Sequence, residues 1–266
     1  MGKAAPVPAP PPFSPIDPLK DAFLFAGDFK ILFYICLVGF CLANARVVLG
    51  ATPKINYFHG CAMMVLICFG GSTISAAMVG APVAFVANEA LVPVCLATWT
   101  VVYFVGSSAF DFVKTSAVGV VLQSTTYEIM RCHVLMNCTK QAAALLPGAL
   151  VVPSAGRVAI VGPLIAGTLG GCGGAFMPLN KGLDPLAAGT NWRISSAMIS
   201  SLWLFLSMQY PDSKSAIGLD GDTCRFLTVS FVVIVPLVQY FSGIAPLGAN
   251  PLIPAKSAVT AGKKTK

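Results

Sequence analysis

Two glycine pairs interrupt long apolar runs in this sequence. Residues 68–72 read Cys-Phe-Gly-Gly-Ser, and residues 171–175 read Gly-Cys-Gly-Gly-Ala. The pairs lie 103 residues apart, and each is followed by a tryptophan, Trp99 and Trp203, which are 104 residues apart. Glycine weakens a helix unless close packing, a bend or a cavity explains its presence. Two landmarks that share one offset predict a duplicated unit, and interrupted apolar spans in both halves indicate a membrane transport pathway.

The amino-acid composition predicts a protein that spans a membrane. The chain has 266 residues, of which 56% are hydrophobic and 10% are charged, and its mean hydropathy is +0.80. Soluble domains carry roughly 25% charged residues, so this composition does not fit a globule surrounded by water. A membrane span needs about 20 largely apolar residues, because the hydrocarbon layer is roughly 30 Å thick.

Seven apolar stretches are long enough to be spans. They are residues 31–50, 57–80, 91–110, 115–136, 158–179, 194–210 and 226–245. Since backbone polar groups in lipid must be satisfied within the segment, we expect α-helical spans and an all-α integral membrane protein. A further apolar stretch, Ala142–Pro153, is short and is broken by Pro147 and Gly148. We interpret it as a loop in the membrane interface, with an eighth half-span as the alternative.

The pattern divides the chain into three regions. Residues 1–29 are a proline-rich leader that we expect to be disordered, residues 30–245 are the helical domain, and residues 246–266 are a basic tail. Within the domain, repeat one covers about 30–110, repeat two covers about 115–210, and a seventh helix covers about 226–245. Because each unit has three spans, the second unit enters the membrane from the opposite side. The two units are therefore predicted to be inverted repeats.

The charges near the C-terminus predict the orientation. Residues 256–266 contain four lysines and no acidic residue. The loop between spans six and seven contains Asp212, Asp220 and Asp222. Since basic segments are enriched on the cytoplasmic side of a membrane, we predict a cytoplasmic C-terminus.

The fourth span contains charged residues at membrane depth. Glu128 and Arg131 are three residues apart, so they lie on one face of a helix and can pair. A charge near mid-membrane costs at least about 2.5 kcal/mol, so it normally faces protein, water or a partner charge. Two interpretations follow: a structural ion pair, or a role at a pore or an anionic ligand.

The glycine clusters have two interpretations as well. Small residues let helices pack closely, whereas a dense cluster can break a helix and expose backbone groups to a water-filled path. We predict the second, with hydroxyl groups beside the first pair that could face a hydrated ion. The candidate pore or hinge residues are Gly70, Gly71, Ser72, Thr73, Gly170, Gly171, Gly173 and Gly174.

Other site classes lack support in the sequence. The nine cysteines show no CxxC or Cys/His spacing typical of a metal site, so none is predicted. The motifs HExxH and GxSxG are absent, which argues against a membrane enzyme. Lysines and arginines outside the tail are scattered singly, so we expect membrane lipid rather than nucleic acid as a partner.

An ordered set of motifs resembles the TRIC family, the trimeric intracellular cation channels of endoplasmic and sarcoplasmic reticulum. The resemblance covers about residues 30–245 and rests on residues 66–71 (Leu-Ile-Cys-Phe-Gly-Gly), 85–88 (Phe-Val-Ala-Asn), Trp99, 127–131 (Tyr-Glu-Ile-Met-Arg), 171–174 and 180–182. It implies a homotrimer with one pore per protomer, selectivity for potassium, and a counter-current that balances calcium release from stores.

The resemblance also implies a lipid site in span four. In the family, a lysine and an arginine of this motif engage a phosphoinositide headgroup near the pore. Here Arg131 and Glu128 are kept, whereas Tyr127 occupies the lysine position. A bound phosphoinositide is therefore the one cofactor that the resemblance suggests, at Tyr127, Glu128 and Arg131.

A secondary transporter is the alternative to a channel. Inverted repeats and interrupted helices suit both classes. Current steps from single molecules distinguish them, since carriers move far fewer ions.

Overall fold

The structure is a computed structural model that describes residues 16–145, 160–172, 174 and 191–254. Several sequence predictions concern other residues: the first half of the leader, the loop at 146–153, Gly173, the motif at 180–182 and the lysines of the tail. These lie outside the described residues.

The described residues form helices, numbered here in chain order. They are α1 (Asp17–Leu24), α2 (Lys30–Ala51), α3 (Tyr57–Val79), α4 (Ala84–Ala87), α5 (Leu91–Val105), α6 (Phe112–Thr115), α7 (Ala117–Leu145), α8 (Val161–Cys172), α9 (Trp192–Leu204), α10 (Pro211–Ile217) and α11 (Gly221–Ser242). Short 3-10 segments occur at Gly27–Phe29 and Ser107–Phe110, and a π-helical segment, Phe205–Gln209, follows α9. The prediction of an all-α fold is confirmed.

Helices occupy the positions of the predicted spans, namely α2, α3, α5, α7, α8, α9 and α11, although α8 and α9 have only 12 and 13 described residues. By length and hydropathy alone, the described ranges contain three stretches able to cross a membrane: Asp17–Ala51, Tyr57–Val79 and Gly221–Ser242. A fourth is obtained if the bent pair Leu91–Val105 and Ser107–Thr115 counts as one span. Helix α7 does not pass this test because it carries many polar residues, several of which, such as Gln123, Glu128 and Arg131, are buried inside the bundle.

The helices pack as two three-helix units and a seventh helix. In the first unit α2, α3 and α5 contact one another, and in the second α7, α8 and α9 do the same. Between the units, the two first helices, α2 and α7, are in contact, and so are the two second helices, α3 and α8. Contacts between equivalent helices are what a two-fold relation between the units produces. Helix α11 packs against α7 and α9.

Glycines allow the close approach of helices, both between the two units and within one unit. A Cβ added to Gly39 in α2 would overlap the Thr126 side chain of α7. In the second unit, a Cβ on Gly167 in α8 would overlap Thr139 of α7. Both positions therefore need glycine because of packing, the use that small residues have in membrane helices.

The tryptophans give weaker support to the duplication than the glycines. Trp99 is fully buried, and its indole nitrogen donates to the Tyr57 carbonyl at 3.2 Å. Trp203 is only partly buried, whereas Trp192 is 1% exposed. Trp203 and Trp99 therefore differ in burial, although each lies on the third helix of its unit.

The third span is shorter than predicted. Helix α5 ends at Val105 instead of Phe110, because Gly106 takes a φ of +90° that favours glycine. The chain then turns by 110° into the segment Ser107–Thr115. The apolar residues after the turn made the sequence look like one continuous span.

The second half of the leader differs from the predicted disorder. Helix α1 begins at Asp17 with Pro18 in its first turn, where proline is tolerated. It packs on the start of α11 through Lys20, which lies 3.3 Å from Asp220, and through Phe23, whose ring lies 5.7 Å from that of Phe226.

The beginning of the predicted tail also packs on the bundle. Asn250 is 1% exposed and Ile253 is 7% exposed, so the tail predicted from residue 246 does not begin there. A backbone bridge between Asn191 and Ala249 holds this segment against the start of α9. The segment packs there because Asn250 donates a buried hydrogen bond from its Nδ2 to Glu128 Oε1.

Candidate functional site

The two glycine clusters meet at one small cavity between the units. Gly71 of α3 lines it from one side, and Gly170, Gly171 and Gly174 line it from the other. Its volume is about 20 Å³, which is room for roughly one water molecule. The cavity that the described residues form at this point is therefore too small for an open water column.

Helix α3 runs through the first cluster without a break, which differs from the prediction. Gly70, Gly71 and Ser72 are buried within the continuous helix Tyr57–Val79. The Ser72 and Thr73 hydroxyls donate to the Phe69 carbonyl at 2.8 and 2.9 Å. Such bonds to the preceding turn are common for Ser and Thr in helices. The backbone ladder is thus intact, and the hydroxyl protons are used within α3.

The second cluster lies at the end of α8. This helix is described as far as Cys172, and a Cβ added to Gly174 would lie 2.6 Å from the Ile67 carbonyl oxygen of α3. A Cβ on Gly170 would lie 2.6 Å from Cys138 Sγ, and one on Gly171 would lie 2.8 Å from Leu135 Cδ1. These contacts show close packing of α8 against α3 and α7.

The charged pair of α7 is completely enclosed by protein. Glu128 is 0% and Arg131 is 3% exposed, and the guanidinium lies 2.7 Å from Glu128 Oε2. Its Nη1 donates to the carbonyls of Gly171 and Arg193 at 3.2 and 3.0 Å, and its Nη2 donates to Ser196 Oγ at 2.7 Å. All three nitrogens of the guanidinium are therefore engaged, as a buried charge requires.

The other carboxylate oxygen of Glu128 accepts two hydrogen bonds. Trp192 Nε1 donates at 2.9 Å and Asn250 Nδ2 donates at 2.8 Å. The pair thereby connects α7 to α8, to α9 and to the segment after α11. This geometry matches the structural ion pair that the sequence left open as one interpretation.

Tyr127 and Arg193 form the polar wall of the cavity. The Tyr127 ring stacks on Phe40 with 5.0 Å between centroids, and the Arg193 guanidinium carbon lies 5.1 Å from the Tyr127 centroid. Among the described residues no carboxylate pairs with Arg193, and its buried Nε has no hydrogen-bond partner there. A positive charge thus lies directly beside the position that is lysine in the TRIC motif.

Sequence reasoning missed Arg193 as a site residue. Arg193 directly precedes the predicted span at residues 194–210, so it was placed in a loop. Asn191, however, caps a helix that already begins at Trp192. The cap places Arg193 in the first turn of α9, where it points at α7. The pattern Asn-Trp-Arg was the available signal, since an N-cap residue marks a helix start.

A larger polar cavity of about 640 Å³ lies where α1, α7, α9 and α11 meet. Both charge signs line it, with Lys20, Asp21, Lys140 and Arg225 among the lining residues. His133 faces it from α7, and its Nε2 lies 2.9 Å from the Phe23 carbonyl oxygen. Helix α1 therefore forms one wall of a polar recess at one end of the bundle.

These features define a helical membrane protein in which two three-helix units meet around a glycine-lined cavity. No protein-family model matches the chain, and no curated protein matches it in sequence. Solved structures nevertheless share its fold.

The similar structures are TRIC channels. A TRIC cation channel solved to explain conductance has a TM-score of 0.59 at 14% identity, over 82% of this chain and 95% of the other. A TRIC counter-ion channel studied for its activity in calcium release has a TM-score of 0.58 at 14% identity, over 86% and 100%. The trimeric intracellular cation channel from C. elegans, without Ca²⁺, has a TM-score of 0.53 at 17% identity, over 84% and 96%. The resemblance read from the motifs is thus confirmed at the level of the fold.

Proposed function

We propose that this protein is a cation channel of the TRIC type. The observation that carries the proposal is the convergence of both glycine clusters on one narrow cavity between the two units, within the fold of TRIC channels. Ions would cross each protomer at this point, between α3 and α8.

The charge balance of the site supports cation passage. Arg131 would repel a cation if it faced the path unpaired, but Glu128 neutralises it at 2.7 Å. Backbone carbonyls and hydroxyl oxygens then remain to replace the hydration shell of the ion. Arg193 is the one cationic group on the cavity wall that lacks a carboxylate partner among the described residues, so its side chain must move aside or be covered when cations pass.

Conduction needs a wider path than this conformation has. A cavity of about 20 Å³ holds no row of hydrated ions. We therefore assign the structure to a closed state, in which opening separates α3 from α8 at Gly71 and Gly174. Rearrangements of helices of this kind are an ordinary gating mode.

The motif resemblance and the fold shared with TRIC channels support a more specific proposal. We propose a homotrimer with one pore per protomer, selective for potassium and resident in endoplasmic or sarcoplasmic reticulum or a similar membrane. Its C-terminus is cytoplasmic, and it passes counter-current during calcium release. It has no catalytic activity.

Reconstitution into planar bilayers tests the proposal. Under a gradient of potassium chloride, we expect resolved current steps whose reversal potential follows potassium. A reversal potential that follows chloride would overturn the cation assignment. Solute flux without resolved steps would favour the transporter, which the closed cavity of this conformation also fits as an occluded state.

A phosphoinositide is the lipid that we propose for the site. The nitrogens of Arg131 are already engaged within the protein, so Arg193 and Tyr127 are the groups available to a phosphate. Arg193 supplies the charge that Tyr127 lacks, and the Tyr127 hydroxyl can donate a hydrogen bond. Arg131 and Glu128 then position the wall on which this headgroup would rest, once the cavity is larger than the volume of about 20 Å³ that it has in this conformation.

A further inference from the structure

Three cysteines that are distant in sequence meet inside the first unit. Cys41 lies on α2, Cys68 on α3 and Cys95 on α5, each 27 positions after the one before. Their sulfur atoms lie within 4.8 Å of one another. Cys41 and Cys95 are fully buried and Cys68 is 7% exposed. The expectation of no metal site rested on spacing along the chain, and this spacing of a whole span hid the cluster.

We propose that this cluster is a binding site for a soft monovalent metal ion of the copper(I) class. Thiolate ligands select copper(I), zinc and iron–sulfur centres over harder cations. Zinc sites are almost always four-coordinate, and the described residues offer three sulfurs with no histidine or carboxylate among them. Three sulfurs suit the lower coordination number of a closed-shell monovalent ion.

The geometry is close to that of a trigonal site. With metal–sulfur bonds of about 2.3 Å, the length found for zinc thiolates, the sulfurs of a planar three-coordinate site lie roughly 4.0 Å apart. The observed separations of at most 4.8 Å require each side chain to move by less than about 1 Å.

The Asn44 side chain favours the thiolate form of Cys68. Asn44 is 2% exposed, and its Nδ2 lies 3.6 Å from Cys68 Sγ while it also donates to the Phe40 carbonyl at 3.1 Å. A donor fixed in this way stabilises a thiolate and orients it, as outer-shell partners do at metal sites. Binding releases the protons of the coordinating thiols, since the thiolate is the form that ligates a metal. The positive charge of the ion then offsets part of the negative charge that the thiolates would place in the apolar interior.

Access to the site is through Cys68. This residue also lines the small cavity beside Gly71, whereas Cys41 and Cys95 are sealed behind it. An ion that reaches the cavity therefore meets the Cys68 sulfur first. Binding itself does not depend on whether the protein conducts, so the test below is independent of the proposed channel.

Silver(I) is the probe, because it has the same charge and softness as copper(I) and does not change oxidation state in the assay. The full chain, purified in detergent with its thiols reduced, is loaded with silver(I), exchanged against excess glutathione, and analysed for bound silver per chain. We expect one silver ion per wild-type chain to resist glutathione. Cys95→Ser should retain at least 10-fold less, and Cys224→Ser, an equally buried cysteine of α11, should retain as much as wild type.

In the silver assay, two outcomes overturn the proposal: complete loss of silver from the wild type, or equal retention by Cys95→Ser and Cys224→Ser. Cys41→Ser is the second variant if Cys95→Ser does not fold, as judged by its elution from a sizing column. Asn44→Ala should lower the affinity by about 10- to 100-fold. X-ray absorption of the copper(I)-loaded wild type adds an independent readout. Three sulfur neighbours are expected, whereas oxygen or nitrogen neighbours would overturn the assignment.

Discussion

The pair Glu128 and Arg131 is the most enclosed charged feature among the described residues. A buried charge that loses its partner is destabilising by about 3–5 kcal/mol, whereas an exposed pair contributes about 0–1 kcal/mol. The pair Asp222 and Arg225 in α11 has the same i,i+3 spacing, but its carboxylate side chain is 63% exposed. The two pairs thus separate the effect of burial from the effect of spacing.

Replacing Glu128 should test the structural role directly. Glu128→Gln leaves the Arg131 charge without a counter-charge, so we expect the free energy of unfolding to fall by about 3–5 kcal/mol. The control Asp222→Asn should change it by less than about 1 kcal/mol. Thermal unfolding in detergent measures both. Similar unfolding midpoints for the two variants would mean that the buried pair contributes no more to stability than the exposed pair.

Tyr127 and Arg193 give a second test at the residue scale. We expect Arg193→Gln to weaken binding of phosphoinositide vesicles, because it removes the charge beside the cavity, and Tyr127→Lys to strengthen it. Arg225→Gln is the control, since Arg225 lies outside the small cavity. Flotation with vesicles that contain or lack the phosphoinositide measures the difference. Unchanged binding in Arg193→Gln would contradict the lipid assignment.

At the scale of elements, the start of α11 depends on Asp220. Its carboxylate accepts hydrogen bonds from the Thr223 hydroxyl and, at 2.8 Å, from the Thr223 backbone N–H, and these bonds lower the pKa of Asp220 to about 2. Asp220 precedes the span and lies outside the hydrocarbon. Because the folded-state pKa lies below the ordinary value, the stabilisation is present above about pH 4 and is lost as the pH falls towards 2.

The stability of helix α1 should also depend on Asp220, because Lys20 of α1 contacts both Asp220 and Thr223. We expect Asp220→Ala to cost about 0.5–2 kcal/mol, the usual effect of losing an N-cap, and to speed hydrogen exchange in α1. Asp28→Ala, in the 3-10 turn before α2, is the control. Hydrogen exchange read by mass spectrometry follows α1 in each variant. Equal exchange in both would show that α1 is held by its apolar contacts alone.

The contact between α3 and α8 is the element-scale feature most closely tied to conduction. In Gly174→Ala the new methyl group would meet the Ile67 carbonyl at 2.6 Å, so α3 or α8 must shift. We expect a loss of about 1–3 kcal/mol in stability, as in other overpacked sites, and a reduced single-channel current. Gly50→Ala is the control, because its Cβ would meet open space. A wild-type current in Gly174→Ala would place the ion path elsewhere.

At the scale of the whole molecule, periodicity and composition were sufficient to locate the helices but not to predict the residues at which they end. Apolar runs locate spans because lipid requires hydrogen-bonded helices, yet the run through Phe110 concealed the turn that Gly106 makes. The proline-rich leader and the basic tail were both placed outside the helical domain, since neither is apolar enough to span. Only tertiary contacts, Lys20 with Asp220 and Asn250 with Glu128, show where each begins to pack.

The site was predictable where its residues are neighbours along one helix. The three-residue spacing of Glu128 and Arg131 was sufficient to predict their pairing. The cysteine cluster and the position of Arg193 depend on how separate helices face one another, which no local pattern contains. The glycine clusters lie between these cases: their shared offset predicted that they correspond, whereas the continuous helix at Gly70 depends on packing around α3.

The hydrogen bond from Asn250 to Glu128 sets a limit on how far the chain can be shortened. A protein ended a few residues after α11 would look intact by hydropathy, since every span would be present. It would nevertheless lose a donor to its most deeply buried carboxylate and the backbone bridge at Ala249. Truncations and fusions at this end should therefore be placed after Ile253, which is the last buried residue in the described part of this segment.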